Sequence, residues 1–188
     1  MSQNIKIFII ALVAVIVIAA LTVVGGINKV ITFEETVKSS WAQVENVLQR
    51  RFDLIPNLVE TVKGYASHEK EVFVEVTNAR SKVAQAGSIP EKIEANQSLT
   101  GALSRLMVVV EQYPQLKANE NFLKLQDELA GTENRIAVER RRYNEAVKEF
   151  NAYIRRIPGR FYASWVGAER LPYFEIDEGA KQTPKVSF

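Results

Sequence analysis

The sequence predicts an all-α protein: one N-terminal transmembrane helix followed by an antiparallel four-helix bundle with long helices. Three observations predict it. Residues 7–27 carry no charge, and the rest of the chain repeats apolar side chains at steps of three and four. Neither a period-two strand pattern nor an Asn-Gly or Asp-Gly hairpin dipeptide occurs. The expected division is an anchor at 1–28, a bundle at 29–160, and a C-terminal aromatic and basic segment with a partly disordered tail at 161–188.

Composition narrows the function classes. A chain of 188 residues allows one ordinary domain, or a small domain plus an anchor. Lys and Arg number 24 against 22 Asp and Glu, so the net charge of +2 offers no global field to attract nucleic acid, and no such partner is expected. With no cysteine, disulfides, thiolate metal sites, a cysteine nucleophile and thioether or palmitoyl anchors are excluded. A single histidine excludes the two-His zinc and di-iron helix motifs, so neither a metal nor a cofactor is expected.

The anchor is the first element. Thr22 is the only polar side chain between Ile7 and Ile27, and at a rise of about 1.5 Å per residue that stretch is about 30 Å long, the thickness of a bilayer core. A buried helix of a water-soluble protein would normally keep a polar face. Lys6 ahead of the run also fits a cleaved signal peptide, with Val24-Gly25-Gly26 as the small-residue candidate for cleavage. The run exceeds the usual apolar core of a signal, about 7–15 residues, which favours a retained anchor. Lys6 on one flank against Lys29 and Lys38 on the other leans weakly toward a cytoplasmic C-terminal domain and leaves the side open.

Four helical segments come after the anchor. The first, near Asn28 to Phe52, places Val30, Phe33, Val37, Trp41, Val44, Leu48 and Phe52 on one face. Asp53 is placed to cap the second, with Pro56 in its first turn. That second stripe runs Ile55, Leu58, Val62, Tyr65, Glu69, Val72, Val76, Ala79, Val83 and Ala86, and Gly87 ends it. Ser88 and Glu91 form a capping box for the third helix, with Pro90 in its first turn and Pro114 as its stop. Asn119 caps the fourth, whose face runs from Phe122 through Thr132, Ile136, Glu139, Tyr143 and Phe150 to Ile157 before Pro158-Gly159. Short connections make an up-down bundle the simplest closure of these stripes; a coiled coil between protomers is the alternative. Because the second helix outreaches the first, Gly25-Gly26 is where the anchor would bend sideways.

Several blocks resemble the LemA family of bacterial membrane-anchored helical proteins. They are Trp41-x-x-Val44, Leu48-Gln49-Arg50-Arg51-Phe52-Asp53-Leu54-Ile55-Pro56-Asn57-Leu58-Val59, Val62-Lys63-Gly64-Tyr65-Ala66 with His68-Glu69, Tyr113-Pro114-x-Leu116-Lys117-Ala118-Asn119, Thr132-Glu133-Asn134-Arg135-Ile136, and Arg142-Tyr143-Asn144. The match runs from the anchor to about Phe174. The resemblance implies one transmembrane helix in the bacterial inner membrane and a helical bundle on one side of it. It brings no catalytic residue. Members often lie beside genes for membrane metalloproteases of the HtpX type, which makes a membrane protease a candidate partner.

Two groups of residues are candidate sites. Glu69 and Glu139 occupy positions where the stripes call for apolar side chains, and Asn96 and Thr132 are further polar residues on core faces. A buried carboxylate has to be paired, hydrogen-bonded or protonated. Together the four would form a polar layer that sets helix register; the alternatives are that the carboxylates sit at solvent-facing ends of the stripes or, more sharply, that they form a site for a metal or proton. The second group is Arg155, Arg156, Arg160, Phe161, Tyr162 and Trp165. An up-down bundle returns the end of its fourth helix toward the bilayer, where such residues would form a basic-aromatic belt on lipid headgroups. A segment folded back onto the bundle is the competing expectation. His68 points away from Glu69, and Arg140-Arg141-Arg142 spans three faces of one turn, so both read as surface.

No convergent reactive cluster emerges, and Glu69 with Glu139 would be the only acid/base pair an enzyme could use. The expected function is therefore a non-enzymatic, self-assembling envelope scaffold or adaptor that meets membrane lipid and other membrane proteins. The alternative is a membrane-remodelling or lipid-surface-binding protein acting through the belt.

Overall fold

In the computed structural model, which describes residues 3–175, helix α1 runs without a break from Gln3 to Lys63, 61 residues. It is followed by α2 (Lys70–Gln85), α3 (Ile89–Val110), the short α4 (Pro114–Lys117), α5 (Glu120–Arg155) and α6 (Gly159–Val166). Every regular element among the described residues is a helix. The N-terminal part of α1 is long and apolar enough to cross a membrane, and its side chains from Ile5 to Leu21 are exposed all round.

The helix boundaries correct the expectation in two places. The anchor and the first segment are one helix, unbroken at Gly25-Gly26, and that helix continues through Pro56. A proline inside a helix removes one backbone hydrogen bond and costs about 3 kcal/mol. The buried stripe stays in phase across it: Trp41, Val44, Leu48, Arg51, Ile55, Leu58 and Val62 all lie in the interior. Asp53 does not cap a helix; its carboxylate accepts a hydrogen bond from Gln49 Nε2 one turn earlier, at 2.8 Å. The break comes at residues 64–69, where the Ala66 amide still bonds to the Val62 carbonyl at 2.9 Å and the Glu69 amide to that of Ala66 at 3.1 Å. Glu69 is thus the residue before α2, not part of a long stripe.

The other boundary signals act as the residues predict. Ser88 accepts from the Glu91 amide, and the Glu91 carboxylate accepts from the Ser88 and Gly87 amides at 3.0 and 2.8 Å. Those amides hold the Glu91 carboxyl below its usual pKa. Asn119 caps α5 by accepting from the Phe122 amide at 3.0 Å.

The chain forms two compact units. Among the described residues, the first comprises 3–40 and 144–171. Here Phe33 of α1 meets Tyr153 of α5 with ring centroids 5.2 Å apart, and Lys29 lies over the Tyr153 ring at 5.2 Å. Among the described residues, the second comprises 41–143 and 172–175. Its core joins Ile55, Leu58 and Val62 of α1, Phe73 and Val76 of α2, Leu99, Leu103 and Leu106 of α3, Leu116 of α4 and Phe122 of α5. The Glu75–Arg105 ion pair at 2.8 Å links α2 to α3.

The Gly-, Pro- and charge-rich composition from Leu171 onward predicts the partial disorder of the tail, and for residues 171–175 the structure differs. Asn151 exchanges two hydrogen bonds with the Leu171 backbone, at 2.9 and 3.0 Å. The Tyr143 hydroxyl donates to the Pro172 carbonyl at 2.9 Å, and Phe174 is buried. Backbone groups satisfied in this way hold a segment that its composition alone would leave free. The rest of the expected tail, 176–188, lies outside the described residues.

Candidate functional site

The second unit buries an arginine. Arg51 sits on the inward stripe of α1, one turn beyond Leu48, and is 2 % exposed. Its Nη1 donates to Glu133 Oε1 of α5 at 2.6 Å and to Thr100 Oγ1 of α3 at 3.0 Å. Its Nη2 donates to the Asn96 carbonyl and to Asn96 Oδ1, both at 3.1 Å. Asn96 in turn donates to the Lys92 carbonyl at 2.8 Å, and Thr100 donates back to the Asn96 carbonyl at 3.0 Å. A planar guanidinium suits this task because its donors leave in a fixed fork, here shared between α3 and α5. Buried Arg51 Nε has no partner among the described residues. Lys92 also pairs with Glu45, a second link between α3 and α1.

Beside this arginine lies a cleft of about 270 Å³, walled by Leu48, Ile136, Arg140, Phe174 and Glu175 as well as by Arg51 itself. Arg140 stands over the Phe174 ring at 5.9 Å. Burial lowers the pKa of its guanidinium, and the neighbouring charges act in opposite senses, Glu133 raising it and Arg141 lowering it. Gln97 donates to the Glu175 carbonyl at 3.0 Å, so the end of the described chain forms one wall. Of the two carboxylates that line the cleft, Glu133 is committed to Arg51 and Glu175 belongs to the wall, and His68 is exposed in the turn before α2.

The four residues expected to form a polar layer take different places. Asn96 is buried and belongs to the Arg51 cluster. Thr132 is buried but spends its hydroxyl on the Glu128 carbonyl of its own helix, at 2.8 Å. Glu69 is half-buried and accepts from the Tyr113 hydroxyl at 3.3 Å. Burial and the Glu69 charge both push the Tyr113 phenol up. Glu139 is half-buried and pairs with Arg142 at 2.8 Å. Among the described residues no three His, Asp or Glu side chains are placed to hold a metal ion.

The residues expected at a membrane surface are all in the first unit. Arg155, Arg156, Arg160, Phe161 and Trp165 are exposed, and Tyr162 is half-buried. Tyr162 packs on α1 at Gly26: a Cβ there would fall 2.0 Å from the ring. The Tyr153 hydroxyl donates to the Gly26 carbonyl at 3.4 Å. Gly159, at the start of α6, is equally tight, since a Cβ would meet the Tyr153 carbonyl oxygen at 2.3 Å. The basic-aromatic segment is therefore fastened to the last turn of the apolar stretch.

Sequence reasoning misses Arg51 as a core residue because it carries the first stripe from Leu48 to Phe52 and starts a second at Ile55, after a cap at Asp53. Keeping the three-four rhythm unbroken across the proline places Arg51, not Phe52, inside. Helix α6 was missed because Pro158-Gly159 reads as a stop, and eight residues show little periodicity.

Comparison with known proteins gives this arrangement its relatives. Magnetosome protein MamQ 2 of Paramagnetospirillum magneticum is 28% identical over 93% of this chain and 76% of its own. Magnetosome protein MamQ of Magnetospirillum gryphiswaldense is 27% identical over 85% of this chain and 68% of its own. Protein LemA of Metamycoplasma hominis is 25% identical over 81% of this chain and 68% of its own. The pattern that defines the LemA family matches residues 40–188, a span that begins one residue before Trp41 and takes in the whole Arg51 cluster. On that match, across most of its length, the chain belongs to the LemA family.

Proposed function

We propose that the protein is a non-enzymatic scaffold or adaptor of the bacterial inner membrane, crossing it once, assembling with its own copies and presenting helical surfaces to other envelope proteins. The observation that carries this is the continuity of α1. One helix supplies both an apolar stretch exposed on every side and the buried stripe of a polar-backed helical unit. An exposed apolar rod of bilayer length needs lipid, and an unbroken helix tethers the remaining chain to the membrane. The buried charge serves packing: Arg51 pairs with half-exposed Glu133 and joins α1, α3 and α5. The names of the relatives state no reaction. A membrane protease is one partner class that such a surface would serve.

Two experiments test this. The full chain is expected to stay with vesicles through alkaline carbonate, and clean release would overturn the anchor. Photocrosslinkers at exposed Val74 and Val138 are expected to trap copies of the chain or one envelope protein in fixed stoichiometry. Crosslinking to nothing but lipid would overturn the adaptor. The first unit favours a second reading, a lipid-surface-binding or membrane-remodelling protein, because its basic-aromatic segment is fastened beside Gly26.

A further inference from the structure

We propose that α6 is an interfacial helix, seated in the headgroup layer of the same bilayer that α1 crosses. Phe161 and Trp165 enter the lipid, while Arg155, Arg156 and Arg160 rest on anionic phosphate. The proposal depends on the membrane-anchored reading above and adds a second, peripheral attachment of stated lipid chemistry.

Position comes first. Tyr162 of α6 occupies the space at Gly26, one residue from the end of the uncharged stretch 7–27. An apolar helix of bilayer length puts its last turn at the lipid-water boundary. Anything packed on that turn lies at headgroup depth, where aromatic side chains with a polar edge settle.

The exposed face of α6 comes second. Gly159 and Ala163, one turn apart, are buried. Phe161 and Trp165, also one turn apart, lie on the opposite side and are 57 % and 63 % exposed, and Ile157 just before the helix is 77 % exposed. A helix with small residues inward and aromatic residues outward has its apolar face turned away from the protein. That is the arrangement of a helix lying in a membrane plane. Tyr162 and Trp165 meet edge to face at 6.4 Å, so the outward indole is braced by the side chain that grips α1.

Charge is the third observation. Arg155, Arg156 and Arg160 are exposed, and none of them forms an ion pair among the described residues. Three free guanidiniums beside two outward aromatic rings match an anionic lipid surface, since guanidinium binds phosphate through paired donors.

The test uses the full chain in vesicles, with lipid brominated high on the acyl chain as quencher. The chain has two tryptophans, and Trp41 is buried, so the difference between wild type and Trp165→Phe reports Trp165 alone. Quenching of wild type that disappears in Trp165→Phe is the expected result. An Ile16→Trp, Trp165→Phe chain, read with lipid brominated deep in the acyl chain, reports the anchor. Deep quenching at position 16 without quenching at Trp165 overturns the interfacial helix and leaves the anchor standing. Quenching at neither overturns both. For the charge, anionic lipid is expected to raise the docked fraction of α6, each arginine contributing about fivefold. Arg155→Gln, Arg156→Gln, Arg160→Gln together are expected to erase that gain. An unchanged gain in the triple variant overturns the phosphate contact.

Discussion

The two units of this chain handle polar groups in opposite ways. The second takes a charge inside and surrounds it: Arg51 reaches Glu133, Thr100 and Asn96 from the interior of a helical core. The first keeps its charges outside and makes its closest contacts with glycine, the Tyr162 ring against Gly26 and the Tyr153 carbonyl against Gly159. A buried charge cluster specifies which helix faces meet, because the wrong pairing leaves charge unsatisfied. A glycine contact specifies distance only, and it leaves the surrounding face free for lipid. The difference separates a region that specifies its own pairing from one that, on the interfacial-helix proposal, would meet a surface.

The largest test of that contrast falls on Arg51. Replacing Arg51 with Ala is expected to cost about 3–5 kcal/mol by removing a buried pairing partner and leaving a cavity. Arg51→Met, which fills the space without charge, should recover most of it. Chemical unfolding of the detergent-solubilised chain measures both. If Met is as damaging as Ala, the charge itself is indispensable and the contrast sharpens; if neither matters, it fails.

Next come the two glycines. Gly159→Ala pushes a methyl group into a backbone oxygen and is expected to cost about 2 kcal/mol. Gly26→Ala meets only a side chain that can swing away, and the helix gains about 1 kcal/mol from losing a glycine, so its stability should change little. Thermal melts of the two variants compare them. Equal losses would show that Tyr162 is as fixed as the backbone.

Tyr143 supplies a pH test within the second unit. Burial pushes its phenol up to about 12, above the ordinary value near 10. The folded state thus favours the protonated form; the contribution is complete below pH 10 and is lost as pH rises toward 12. The expected slope in that window is at most about 1.4 kcal/mol per pH unit. Tyr143→Phe should flatten this alkaline limb while losing about 1 kcal/mol for the hydrogen bond to Pro172. At a similar size, Ser88→Ala removes one cap of α3 and should cost about 1 kcal/mol, leaving the first unit untouched.

Local signals were legible wherever a side chain acts on its own backbone. Ser88, Glu91 and Asn119 declare helix starts because their partners lie within four residues. The apolar anchor declares itself by length alone. What could not be seen is settled at a distance. Pro56 looks like a helix start until the buried stripe on both sides is known to continue, and only then does Arg51 turn inward. Glu69 and Glu139 sit on apparent core positions, yet one falls in a turn and the other at a half-exposed edge beside Arg142. Of the expected membrane-surface residues, the exposure of the three arginines and two aromatics follows from sequence chemistry. The attachment of Tyr162 does not, since Gly26 and Tyr162 are far apart in the chain.

The unbroken passage of α1 through Gly25-Gly26 has a mechanical consequence. Two adjacent glycines at a membrane boundary would ordinarily serve as a swivel, isolating the water-facing residues from whatever the lipid does. With Tyr162 wedged at the second of them and the helical hydrogen bonds intact, residues 28–40 must lean as the anchor leans. Lean is how a helix accommodates a bilayer thinner than its apolar length. If the apolar stretch sits in a bilayer, a change of bilayer thickness would thereby reach residues 28–40 as a change of lean, as a tilting mast reports the depth of its footing.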